Sequence, residues 1–109
     1  MTNLNIKTID VHMLKSKMEQ NSDLCVIDVR EEEEWQMGHI PKTFHISKGS
    51  ITTHIEVQIP DKNHSIYLLC QGGVRSLHAA HSLMNLGYQE VYSVEGGIMA
   101  WSAFGYPVE

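Results

Sequence analysis

The chain has 109 residues, enough for one domain with a real core and no need of metal or disulfide staples. Hydrophobic residues make up 42% and charged residues 19%, a globular balance, and the net charge of −5 argues against a general nucleic-acid binder. Its two cysteines, Cys25 and Cys70, form no C-x-x-C, which excludes a zinc ribbon, a thioredoxin motif and a disulfide framework. The apolar runs are too short to cross a membrane. The first 17 residues lack the apolar core of a signal peptide, so a reducing cytoplasm is the expected compartment.

In chain order, Ile6-Lys7-Thr8-Ile9 reads as a short strand, and Asp10 as the cap of a helix whose apolar positions are Val11, Leu14 and Met18. After the polar break Asn21-Ser22-Asp23, the run Leu24-Cys25-Val26-Ile27-Asp28-Val29 predicts a buried parallel strand with Cys25 as a small buried hydrophobe. Asp28 and Arg30 fall at its carboxyl end, where ligand sites of parallel sheets gather; Asp28 is expected to hold backbone and arginine groups in place. The acidic run at residues 31–34 fits the solvated first turn of a short helix. Trp35 and Met37 are expected to reach an apolar environment before the turn Gly38-His39-Ile40-Pro41, in which His39 serves as a hydrogen-bonding partner.

Thr43-Phe44-His45-Ile46 predicts another short strand. Residues 51–58 predict a helix with Ile51, Ile55 and Ile59 on one face. Ile66-Tyr67-Leu68-Leu69 is the central strand, ended by Cys70, and a helix begins near Ser76 with Ala79, Ala80, Leu83 and Met84 as its apolar stripe. His78 and His81 have metal-compatible spacing on that helix, but no third ligand is apparent, so they read as a solvated face. Val91-Tyr92-Ser93-Val94 is a strand, and Glu95-Gly96-Gly97 turns into a last helix containing Trp101. Strands alternating with helices predict one α/β domain over residues 1–109, with a mostly parallel sheet and helices on both faces. The loops after Val29, Leu69 and Val94 then meet at one edge.

The candidate site is Cys70-Gln71-Gly72-Gly73-Val74-Arg75-Ser76, a cysteine between a buried strand and a helix N-terminus. Unpaired N–H groups of a first helical turn attract anions and stabilise a thiolate. Two glycines and an arginine make an unusual plain turn, so an inert Cys70 is disfavoured. A nucleotide-binding loop fails because no Gly-Lys-Ser/Thr follows the glycines. Phosphate-ester hydrolysis of the tyrosine-phosphatase kind uses C-x5-R, whereas Cys70 and Arg75 form the shorter C-x4-R, a narrower cradle suited to one sulfur on the cysteine. In sulfur transfer, the Cys70 thiolate takes the outer sulfur of a donor and passes it to a nucleophile, with N–H groups of residues 71–75 around the persulfide. Arg75 would orient the donor or brace the loop against a strand-end carboxylate, Asp28 being the nearest candidate.

The chain resembles a single-domain rhodanese, a thiosulfate sulfurtransferase homology domain. The resemblance rests on Val26-Ile27-Asp28-Val29-Arg30-Glu31, Glu34-Trp35, Gly38-His39-Ile40-Pro41 and the cysteine loop, followed by Gly87-Tyr88, Val91-Tyr92, Glu95-Gly96-Gly97 and Ala100-Trp101. It implies a central five-stranded, mostly parallel sheet flanked by helices, with Cys70 carrying a persulfide and no cofactor or metal. In that family six-residue loops go with sulfur chemistry and seven-residue loops with phosphatases and arsenate reductases; Cys70 to Arg75 counts six. The implied partners are a small anionic sulfur donor (thiosulfate or a persulfide) and a thiol or cyanide acceptor. A protein sulfur acceptor is a further candidate; nucleic acid and membrane are not expected. The alternative is a non-enzymatic sulfur carrier or regulatory module, and a remote one is a phosphatase or arsenate reductase of the same fold. Lys42-Thr43 stands where Gly-Ala is common, which is expected to add positive charge near the site rim. Arg75 is the one charged residue of the loop, which points away from thiosulfate toward a persulfide donor.

Overall fold

A computed structural model describes residues 6–109. Residues 1–5, part of the stretch read as lacking a signal-peptide core, lie outside the described residues. Five strands and five helices follow in the order β1 (Lys7–Ile9), α1 (Val11–Gln20), β2 (Val26–Asp28), α2 (Glu32–Met37), β3 (Phe44–His45), α3 (Ile51–Gln58), β4 (Ile66–Leu69), α4 (Val74–Asn85), β5 (Val91–Val94) and α5 (Gly97–Ala103). The sheet runs β1-β5-β4-β2-β3 and every pairing in it is parallel. Parallel neighbours need crossovers, and the helices supply them, covering both faces.

The core is accordingly divided in two. Ile27, Val29, Leu68, Cys70 and Val91 face α3 and α4 through Ile51, Ile55, Ala79, Ala80 and Leu83. Val26, Tyr67, Leu69 and Val94 face α1 and α5 through Val11, Leu14, Ile98 and Trp101. Strand residues alternate between these faces with period two. β2 and β4 are buried at every position, which is why β4 appears in the sequence as a continuous apolar run and β2 as one broken only by Asp28. The Asp10 carboxylate accepts the Met13 N–H at 2.8 Å and starts α1. β4 and β5 keep the bounds of their expected runs, whereas the other three strands are shorter: β1 begins at Lys7, β2 covers three residues and β3 two.

Two local departures have physical causes. α4 begins at Val74, two residues earlier than its apolar stripe indicates, because Gly73 takes φ 109° as its cap and lets the helix start inside the cysteine loop. Met37 is 90% exposed, against the expectation of an apolar environment. Two residues apart on a helix, Trp35 and Met37 point in different directions, and only Trp35 turns inward. It stacks on His39 with centroids 3.7 Å apart and on His45 at 5.1 Å.

The sheet's carboxyl edge is fastened where the turn after β5 meets the loop after β4. Ile98 N–H donates to the Cys70 carbonyl at 2.9 Å, and Met99 N–H to the Gln71 carbonyl at 3.1 Å. Gly97, at φ 56°, makes this approach possible, since a Cβ there would overlap both carbonyl oxygens. Gly97→Ala is therefore expected to cost about 3 kcal/mol or more and to lower Tm by more than about 10 °C, measured by thermal denaturation. A Tm within about 2 °C of the parent would show that this contact does not hold the loop.

Candidate active site

Cys70 directly follows β4 and is 1% exposed, lying beneath a turn whose Gln71 and Gly72 face solvent. Its Sγ accepts the Gly73 N–H at 3.0 Å. Among the turn N–H groups expected to serve the sulfur, this is the one within hydrogen-bonding distance. The carbonyls of Cys70 and Gln71 are turned outward to α5, as described above, so the turn offers donors rather than lone pairs to its inside. Gly73 has no side chain to cap α4, which leaves donors of that helix's first turn for an anion.

Beneath the sulfur lies a pair of buried hydroxyls. Ser76, in the first turn of α4, has its Oγ 3.5 Å from Cys70 Sγ and donates to the Gly73 carbonyl at 3.1 Å. Its Oγ also lies 2.7 Å from Ser93 Oγ on β5. Both serines are at most 1% exposed. Ser93 is a residue the sequence reading passed over. The usable signal was a small polar residue on the buried face of an inner strand, one position before its carboxyl end.

Arg75 does not pair with Asp28, contrary to expectation. Its guanidinium forks onto Glu34, with Nη1 to Oε1 at 2.6 Å and Nη2 to Oε2 at 2.9 Å. The reason is the pleat. Asp28 pairs in register with Leu69, whose side chain faces α1 and α5, whereas the next residue, Cys70, faces α3 and α4. Asp28 and the α4 N-terminus thus lie on opposite sides of the sheet. Asp28, fully buried, instead accepts the Arg30 backbone N–H at 2.9 Å and the Arg30 guanidinium at 2.8–3.0 Å. Arg30 continues to the Gly38 carbonyl at 2.8 Å. This pair closes the β2–α2 turn.

The acidic run also divides. Glu31, Glu32 and Glu33 are exposed, as a solvated helix start should be, but Glu34 is half-buried. It donates nothing and accepts twice over, from Arg75 and from the Glu31 N–H at 2.9 Å in a capping box. Lys42 is not at the site rim: it precedes β3, at the amino side of the sheet, beside Met18, Trp101 and Pro107. Its φ of 66° is left-handed, which accounts for a glycine being common there in the family it resembles. His39 bonds the Trp35 carbonyl at 3.0 Å within its turn. His78 Nδ1 lies 3.4 Å from Lys48 Nζ, and His81 Nδ1 lies 3.4 Å from Asn85. Cys25 is buried at the entry to β2, and burial pushes its thiol up to about 11. Val74, on the outer side of the turn, is 64% exposed.

An α/β domain with a cysteine in a six-residue turn between a strand and a helix N-terminus is the class that fold and site define. The chain belongs to the rhodanese-like domain family, whose pattern matches residues 10–104. It is 40% identical over 98 residues to YtwF of Bacillus subtilis (strain 168), a candidate sulfurtransferase, covering 90% of this chain and 92% of that one. It is 33% identical over 101 residues to the thiosulfate sulfurtransferase GlpE of Vibrio cholerae serotype O1, covering 93% and 92%. A crystal structure of a rhodanese-like domain protein from Staphylococcus aureus superposes with a TM-score of 0.77 at 34% identity, over 88% of this chain and 91% of that one. No helix among the described residues is long and apolar enough to cross a membrane.

The Arg75 pair, chiefly through its hydrogen bonds, holds the Glu34 carboxyl down to about 2 from the ordinary 4.5. A carboxyl depressed on folding contributes stability that is complete above pH 4.5 and lost as pH falls toward about 2. Glu34→Gln should therefore flatten the acid side of a Tm-against-pH profile in that window, while the parent falls more steeply. Parallel profiles for the two proteins would mean that the fork does not contribute to folding.

Proposed function

We propose that this chain is a sulfurtransferase that carries a sulfane sulfur on Cys70. The observation that supports it most is the Cys70 Sγ at a strand end, accepting the Gly73 N–H at the uncapped N-terminus of α4. A thiolate there accepts from a backbone N–H, and the Cys70 and Gln71 carbonyls are engaged by α5. It attacks the outer sulfur of the donor, forming an Sγ–S bond as the donor's own S–S bond breaks. With thiosulfate, sulfite leaves with the electron pair. A nucleophilic acceptor then attacks the terminal sulfur, the Sγ–S bond breaks, and its electron pair returns to Sγ as thiolate. Cyanide would leave as thiocyanate, and a thiolate as a persulfide. Donors on the turn stabilise the negative charge carried by the terminal sulfur between the two steps.

Arg75 bears on the choice of donor. Its charge is met by Glu34, with Glu31, Glu32 and Glu33 exposed close by, so little net positive potential is left to attract a dianion. The same fork engages both terminal nitrogens, which a phosphoryl cradle would need to grip equatorial oxygens. These features favour a persulfide over thiosulfate as donor.

Cys70→Ser is expected to abolish transfer from thiosulfate to cyanide while leaving Tm near that of the parent; undiminished turnover in a folded variant would overturn the mechanism. For the donor, kcat/KM with a low-molecular-weight persulfide should exceed that with thiosulfate. The reverse ranking would remove the electrostatic argument and leave the Cys70 chemistry intact.

A further inference from the structure

The hydroxyl of Ser76 has one proton and three neighbours: Cys70 Sγ at 3.5 Å, the Gly73 carbonyl at 3.1 Å and Ser93 Oγ at 2.7 Å. Counting protons fixes the direction of each bond. With Cys70 as a thiol, its S–H donates to Ser76 Oγ, and the Ser76 proton goes to the Gly73 carbonyl, which only accepts. Ser93 must then be the donor in the serine pair. Were Ser93 the acceptor, the Ser76 proton would be taken up, and the Gly73 carbonyl would lose its hydroxyl partner. Ser93 has Ser76 as its one hydrogen-bonding side-chain partner among the described residues, and both serines are at most 1% exposed.

Deprotonation of Cys70 changes one step of this chain. Sγ stops donating and needs donors. The Gly73 N–H is in place, and rotation of the Ser76 hydroxyl from the Gly73 carbonyl to the sulfur supplies another. Ser93 continues to donate into Ser76 Oγ, and a hydroxyl that accepts one hydrogen bond becomes the stronger donor of its own proton.

We propose that Ser93 is a positioning residue for sulfur transfer: by donating to Ser76 Oγ it reserves the single Ser76 proton for the Cys70 sulfur whenever that sulfur is anionic. This rests on the reading of Cys70 as the sulfur carrier. The anionic sulfur occurs twice per cycle, before attack on the donor and again as the acceptor breaks the Sγ–S bond. The Ser93 hydroxyl bonds Ser76 and not the Cys70 sulfur, so it acts through Ser76.

The test is the pH profile of Cys70 alkylation by iodoacetamide, read by peptide mass on the full chain. Ser93→Ala is compared with the near-isosteric pair Ser93→Thr and Ser93→Val, which differ only in hydroxyl against methyl. Arg75, whose charge is coupled to that of Cys70, is unchanged in all three. Ser93→Ala and Ser93→Val should shift the profile to higher pH. Below its midpoint the rate should fall roughly two- to tenfold, the range carried by one net hydrogen bond. The high-pH plateau should hold, and Ser93→Thr should follow the parent. Coincident Thr and Val profiles would overturn the proposal, as would a loss confined to the plateau. These outcomes are separate from failure of the Cys70 reading, which shows instead as transfer activity surviving in Cys70→Ser.

Discussion

The site depends on two hydrogen bonds that involve no side chain. By donating the Ile98 and Met99 N–H groups to the carbonyls of Cys70 and Gln71, the N-terminus of α5 turns those oxygens away from the interior of the cysteine turn. The N–H of Gly73, which belongs to the next peptide plane of the turn, meets the sulfur at 3.0 Å. Glycine at position 97 is the condition for this, since any Cβ would occupy the space in which the carbonyls meet α5. One helix terminus therefore orients the turn, and another, that of α4, lends its field to the sulfur.

Around this frame, charge is arranged to be nearly balanced. Arg75 fastens α4 to α2 through Glu34, and Arg30 fastens the β2–α2 turn through Asp28, each arginine with its own carboxylate. The two pairs differ in setting. The Asp28–Arg30 pair is buried, so removal of either partner would leave an uncompensated charge, whereas the Glu34–Arg75 pair is partly solvated and titratable. The result is a turn held in shape by ionic fastenings with little net charge directed at the ligand. That is a different arrangement from a cradle built to grip a dianion.

The sheet and its helices were largely legible in the sequence, because apolar runs such as Ile66-Tyr67-Leu68-Leu69 are what two-sided burial requires. The cysteine turn was legible too, through its glycines and its place between strand and helix. What escaped were relations set by tertiary approach. Glu34 sits in a run of four glutamates that a helix N-terminus explains by itself, and only the packing of α2 near α4 singles it out. Asp28 and Arg75 do not meet because the pleat sends neighbouring positions on paired strands to opposite faces. Lys42 lies away from the cysteine turn because the chain returns to the amino side of the sheet before β3, a path its local sequence does not show. Ser93 was hidden in an apolar strand, where one small hydroxyl does not disturb the pattern.

The most direct measurement is peptide mapping by mass spectrometry, under non-reducing conditions, after brief exposure of the full chain to a low-molecular-weight persulfide or thiosulfate. One added sulfur on the peptide containing Cys70, none on that containing Cys25, and its removal by cyanide are the predicted result. Sulfur on Cys25, or none on Cys70 with either donor, would contradict the account.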